Sequence, residues 1–255
     1  MNRIRTFFTS EHGKKVLAAL SLLAIWQAGA LLVGNSLLLA SPLDVIGRLF
    51  TIWKEEGFLE SLGTSFLRIA GGFFLGFFLG ILLAVFAGRV HTVEIFLAPL
   101  MLTIKSVPVA SFIIISLIWL SSSKLATFIS FLMVLPVIYN NVLTGIKSTD
   151  RKLTEMADVF RLDGKKRMKY IWIPQIRPYL MSGASIALGL AWKSGIAAEV
   201  IGIPKNSIGE NLYLAKAYFN TVDLFTWTLI IVLVSLFFEK TVLRILKHAF
   251  DKNEE

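Results

Sequence analysis

The stretch IAGGFFLGFFLGILLAVFAG, residues 69–88, runs for twenty residues without a charge. A helix of that length covers about 30 Å, the hydrocarbon thickness of a bilayer. Five more segments read the same way. They are 18–33, at the centre of the uncharged run 16–43; 95–120, interrupted only by Lys105; 125–146; 179–201; and 224–238, continuing to about 245. Composition agrees with that reading: 55% of the 255 residues are hydrophobic and 17% charged, where soluble domains carry about 25% charged residues. The expected fold class is therefore an all-α integral membrane protein with six transmembrane helices. The third helix should bend at Pro99 or Pro108. The first is longer than the apolar core of a signal peptide, and Ser41-Pro42 reads as a turn, so it is expected to be a retained anchor.

Basic residues orient the spans. With the N-terminus inside, the pieces 1–15, 89–94, 147–178 and 239–255 hold 18 Lys and Arg, against 5 in 35–65, 121–124 and 202–223. That asymmetry predicts an N-in, C-in topology in a cell membrane. It also accounts for most of the +9 net charge, so no nucleic-acid partner is expected. The organisation is a cytoplasmic tail 1–15, a six-span domain 16–245 and a cytoplasmic tail 246–255. Catalysis has little to work with. There is no cysteine, the three histidines lie far apart in sequence, and Glu199 is the only acid inside the apolar runs, the sixth of them counted to residue 238. No metal site is expected.

The long polar loop 147–178 carries the most information. Leu153, Met156, Ala157 and Phe160 fall at i, i+3, i+4 and i+7, one face of a helix. Asp150 suits its N-cap, and Gly164 lies where the helix would stop and turn. A second amphipathic stretch, 165–173, ends at Pro174. Such a helix–turn–helix can rest on lipid headgroups or dock a protein, and the pattern alone leaves both open.

Glu155-Met156-Ala157, with Gly164 and Ile173-Pro174 following, resembles the EAA loop of ABC importer permeases. That motif reads E-A-A, three residues, G, nine residues, then an apolar residue and commonly Pro. Here Met156 replaces the second residue and the gap to Gly164 is longer. Ser41-Pro42, Ser65-Phe66-Leu67-Arg68, Pro99, Lys105-Ser106-Val107-Pro108, Ala191-Trp192 and Ala197-Ala198-Glu199 are similar to the nitrate/sulfonate/taurine branch. The resemblance implies the type I importer permease fold with a cytoplasmic coupling helix. It also implies a separate ABC ATPase in two copies, which carries the ATP and magnesium, since this chain has no Walker-type loop and no cofactor of its own. A second permease subunit (a homodimer, or a paralogue) and an extracytoplasmic binding protein complete the assembly. Leu153, Ala157, Phe160 and Gly164 are expected to be needed for ATPase docking, with a polar contact from Glu155.

Within the spans, charged residues are costly and face protein or water. Lys193 and Glu199 lie six residues apart on different helix faces, so each needs its own partner or a cavity. Glu199 reads as pathway-lining or as half of an ion pair. Arg68 reads as a snorkelling anchor or a pathway residue, Lys105 as structural or pathway-lining, and Lys193 as pathway-facing or paired. Facing the pathway, these cations would favour an anionic solute such as a sulfonate, nitrate or bicarbonate; a vitamin precursor is the other class. Gly72, Gly76 and Gly80, and Gly183, Ala187, Ala191 and Gly195, form small-residue stripes. The stripes suit either packing within the chain or a subunit interface. A stand-alone carrier or channel also fits six spans but leaves the EAA-like loop without a purpose.

Overall fold

The computed structural model describes residues 11–254, and among them it is helical with no strand. The helices are α1 (Glu11–Val33), α2 (Pro42–Ile52), α3 (Phe58–Arg89), α4 (His91–Ser106), α5 (Val109–Ser116) and α6 (Ser122–Lys147). They continue as α7 (Arg151–Val159), α8 (Gly164–Arg167), α9 (Ile173–Gly202), α10 (Ile208–Ala217) and α11 (Thr221–Glu254), with a π-helical turn, Met168–Trp172, joining α8 to α9. Of the tail 1–15, residues 1–10 lie outside the described residues, while 11–15 already belong to α1. At the other end α11 runs without a break to Glu254, so 246–254 is helical.

Five helical stretches are long and apolar enough to cross a membrane, and a sixth is counted if α4 and α5 together make one span. These two helices meet at an angle of 99°. The break falls at Pro108, which is the N-cap of α5, and not at Pro99, which sits inside α4. Pro108 can occupy that place because a first-turn position needs no N–H donor. The segment 165–173 was expected to be a separate helix ending at Pro174. Instead α8, the π turn and α9 form one helical run, 39 residues from Gly164 to Gly202. Ile173 donates its amide to the Met168 carbonyl, five residues back. That wider turn shifts the hydrogen-bond register just ahead of Pro174, which then lies in the first turn of α9 and starts a helix rather than ending one.

The chain divides into two compact units, Met1–Leu59 with Asn211–Ile230, and Glu60–Glu210 with Ile231–Glu255. In the first, Trp26 of α1 donates its indole N–H to the Ala40 carbonyl at 3.0 Å and packs its ring 5.3 Å from Phe225. The Arg48 guanidinium of α2 forks onto Asp223 and also reaches Glu55 at 2.6 Å. Both carboxylates hold its pKa above the ordinary arginine value.

In the second unit α6 packs against α3 and α9, and the two small-residue stripes make those contacts. A Cβ on Gly72 would lie 2.3 Å from the Thr127 carbonyl oxygen, and one on Gly76 or Gly80 would lie 2.9 Å from α6 atoms. On α9, Gly183 presses against Asn141 and Gly195 against Ile69 and Ser130, while Ala187 and Ala191 are fully buried. Ser130 Oγ donates to the Ala191 carbonyl at 3.0 Å. Both stripes thus serve packing within the chain. Because the atom opposing Gly72 is backbone, it cannot swing aside. Gly72→Ala should therefore cost about 1–3 kcal/mol by overpacking, read as a lower unfolding temperature in detergent. Gly71, with open space beside it, is the tolerant control.

The Phe run of α3 divides by face. Phe73 and Phe77 are buried, with Phe73 in an aromatic cluster that includes Phe238 and, through it, Phe66 and Trp192. Phe74 and Phe78 are exposed and line an open apolar groove.

Candidate functional site

The polar segment after α6 is organised around α7. Asp150 caps its start, accepting the Lys152 amide at 2.9 Å. The helix ends nine residues later, and Arg161 then takes a left-handed conformation with φ 51°. The Arg161 amide donates to the Asp158 carbonyl at 3.1 Å, and the Leu162 amide to the Ala157 carbonyl at 2.9 Å. This double closure normally places glycine at the left-handed residue.

The helix was expected to stop at Gly164. The reversal is complete before that residue, because Arg161 and Leu162 have already satisfied the terminal carbonyls. Gly164 instead begins α8, behind an Asp163 cap that accepts the Lys166 amide at 2.9 Å, and a Cβ there would meet nothing. Three residues separate Ala157 from Arg161, and nine separate Arg161 from Ile171, with Pro174 shortly after. The EAA spacing is kept without a gap, with arginine standing in the glycine's place. A left-handed conformation costs a non-glycine residue roughly 1–2 kcal/mol. Arg161→Gly should therefore slow amide exchange in α7, whereas Gly164→Leu should leave it unchanged.

Arg167 locks this turn, a role that sequence reading did not assign to it. Its Nε donates to the Leu162 carbonyl at 3.0 Å and an Nη to the Ala157 carbonyl at 3.4 Å, and it pairs with Asp158 at 2.5 Å. The signal available was only a basic residue one turn past a helix end, which many loops share.

The proposed ridge splits on this scaffold. Ala157 is fully buried and Leu153 half-buried, holding α7 against the chain. Met156, Val159 and Phe160 point outward, 45%, 80% and 70% exposed. Glu155 is exposed and accepts from Arg151 Nε at 2.9 Å. A short helix thus presents a bare apolar tip outside the candidate spans.

The intramembrane charges separate into two kinds. Glu199 is fully buried, so it lines no open space. It accepts from Ser65 Oγ at 2.6 Å and from the Gly209 amide at 3.3 Å, and pairs with Arg68 at 3.5 Å. Ser65 Oγ in turn accepts the Ile208 amide at 2.9 Å. The network ties α3, the end of α9 and the start of α10 together. Arg68, expected to snorkel, is drawn into this pair. Lys105 and Lys193 are both exposed, with no ion-pair partner recorded among the described residues. Lys105 borders a cavity of about 300 Å³ together with Glu94, Tyr139 and Asn140.

Residues 72–253 match the family model of the binding-protein-dependent transport system inner membrane component. The chain belongs to that family. The match takes in most of α3 and everything through α11, including the α7 turn. An aliphatic sulfonates transport permease of Bacillus subtilis is 25% identical, over 87% of this chain and 80% of its own. A nitrate import permease of Synechococcus elongatus is 29% identical, over 77% and 73%. A riboflavin transport permease of Chloroflexus aurantiacus is 26% identical, over 84% and 81%. The chain is an ABC importer permease of the nitrate/sulfonate/taurine branch, a multi-pass protein of the cell membrane. The named solutes of these relatives range from small anions to a vitamin, so the permease's own solute does not follow from kinship.

Proposed function

We propose that the permease is the pathway-forming subunit of an ATP-driven importer. Its loop 147–178 lies in the cytoplasm, in an N-in, C-in arrangement of six spans. A separate ABC ATPase, in two copies, docks on α7, and a binding protein on the other side delivers the solute to a pair of permease subunits. The observation that carries this reading is the tip of α7. Met156, Val159 and Phe160 are bare, while Asp150, the Arg161 turn and Arg167 hold the helix rigid. An apolar anchor on a stiff support transmits force to the long run of α8, the π turn and α9, which enters the membrane directly behind it.

The solute we favour is a small anion. Arg68 is neutralised by Glu199, whereas Lys105 and Lys193, two further cations of the spans, have no ion pair among the described residues. Gentle purification of the tagged chain from its host should bring down an ATPase with a Walker-type loop. Uptake into inverted or right-side-out vesicles should then depend on ATP on the α7 side. Uptake by the permease alone, without ATP, would instead indicate a secondary carrier.

A further inference from the structure

Helix α2 has eleven residues, too few to cross a bilayer, and its side chains sort into three arcs. At about 100° per residue, Leu43, Ile46, Phe50 and Trp53 fall within one quadrant. All four are exposed, at 69%, 44%, 70% and 57%. Val45 and Ile52 share the opposite side and are buried to 2% and 1%. Between the two lies a polar arc with Asp44, Arg48 and Thr51. A helix that only covers protein needs one apolar side; this one has two.

Three attachments set the height at which α2 sits. Eight residues separate Val33, the end of membrane helix α1, from Pro42, and five separate Ile52 from Phe58, the start of α3. Arg48 grips Asp223 in the first turn of the membrane helix α11. The helix is thus held at the ends of three membrane helices. Exposed apolar side chains also flank it in the chain, Leu31, Leu32, Leu37 and Leu38 before it and Leu59 after it, each 60% exposed or more. The row ends in Trp53, whose ring lies 5.3 Å beneath the Lys54 ammonium. Trp beside a cation is the residue pair that favours the headgroup boundary.

We infer that α2 is an interfacial helix. Leu43, Ile46, Phe50 and Trp53 lie in the lipid at the headgroup–acyl boundary, Val45 and Ile52 pack on the protein, and Thr51 faces water. The occupant of the exposed row is the bilayer. This inference does not depend on how α7 is used.

The chain contains no cysteine, so single-cysteine variants take a nitroxide at one site without further engineering. Leu43→Cys, Ile46→Cys, Phe50→Cys and Thr51→Cys replace exposed residues, and four independent positions guard against any one failing to fold. The full chain is placed in nanodiscs of phosphatidylethanolamine and phosphatidylglycerol. Collision rates are then measured with oxygen, which concentrates in lipid, and with a water-soluble nickel chelate. Oxygen should dominate at positions 43, 46 and 50 and the chelate at 51, a several-fold swing in their ratio along one helix. Equal chelate access at 46, 50 and 51 would overturn the inference. So would chelate access at 46 and 50 that disappears only when a binding protein is added, which would make the row a protein-docking face.

Discussion

Phe160→Asp is expected to abolish recovery of the ATPase with the permease and to reduce ATP-dependent uptake at least tenfold. An apolar anchor at the centre of a docking surface contributes about 2 kcal/mol or more, roughly a thirtyfold change in affinity. A carboxylate in its place adds the cost of burying a charge. Phe160 is 70% exposed and follows the last residue of α7 as its C-cap. The same change should therefore move the stability of the isolated permease by no more than about 0.5 kcal/mol. That separation makes the result interpretable: association is lost from a chain that folds. Val159→Asp should act in the same direction. Gly164→Leu, in open space, should leave association intact. If Phe160→Asp permease still co-purifies and transports, the α7 tip is not the coupling surface.

Glu199→Ala is expected to be the most damaging single change in the membrane part, costing about 3–5 kcal/mol. It leaves Arg68 without its counter-charge and removes the acceptor shared by Ser65 and the Gly209 amide. It also empties the space of a side chain that is fully buried. The chain leaves α9 through Ile203 at φ 45°, a conformation β-branched residues resist. The network around Glu199 holds that turn in place. Arg68→Ala should cost less, because the Arg68 side chain retains 18% exposure, and Glu199→Gln should fall between the two. The double Arg68→Ala, Glu199→Ala variant should be less damaging than the sum of its parts, which identifies the pair as one unit. Unfolding temperatures in detergent for the four variants would show this order. If Glu199→Ala were as stable as the parent yet failed to transport, the acid would belong to the pathway after all.

What the sequence makes legible here follows from the range of each interaction. The apolar runs need only composition, and all of them became helices. The break between α4 and α5 was narrowed to Pro99 or Pro108, and the fold places it at Pro108. The stripes of Gly72, Gly76 and Gly80 announced a close approach, although naming α6 as the neighbour required the fold. The continuity of α8, the π turn and α9 could not be read, because whether Pro174 stops a helix depends on the hydrogen-bond register just before it. Arg161 went unnoticed because glycine is the usual sign of a left-handed residue, and Gly164 stood nearby as a decoy. The pairing of Arg68 with Glu199 joins residues 131 apart in sequence, and only packing brings them together. Lys105 and Lys193 stood out as costly charges, and among the described residues they remain without an ion pair.

The choice between a protein and the bilayer at the α7 tip can be settled by one cross-linking measurement. In the cysteine-free chain, Val159→Cys carries a benzophenone at the most exposed point of the tip. Illumination in native membranes should yield a single protein adduct, identified by mass spectrometry as an ABC ATPase with a Walker-type loop, and Phe160→Asp should abolish it. Adducts to lipid alone, with no ATPase peptide, would contradict the coupling role and leave α7 as a helix resting on the membrane surface.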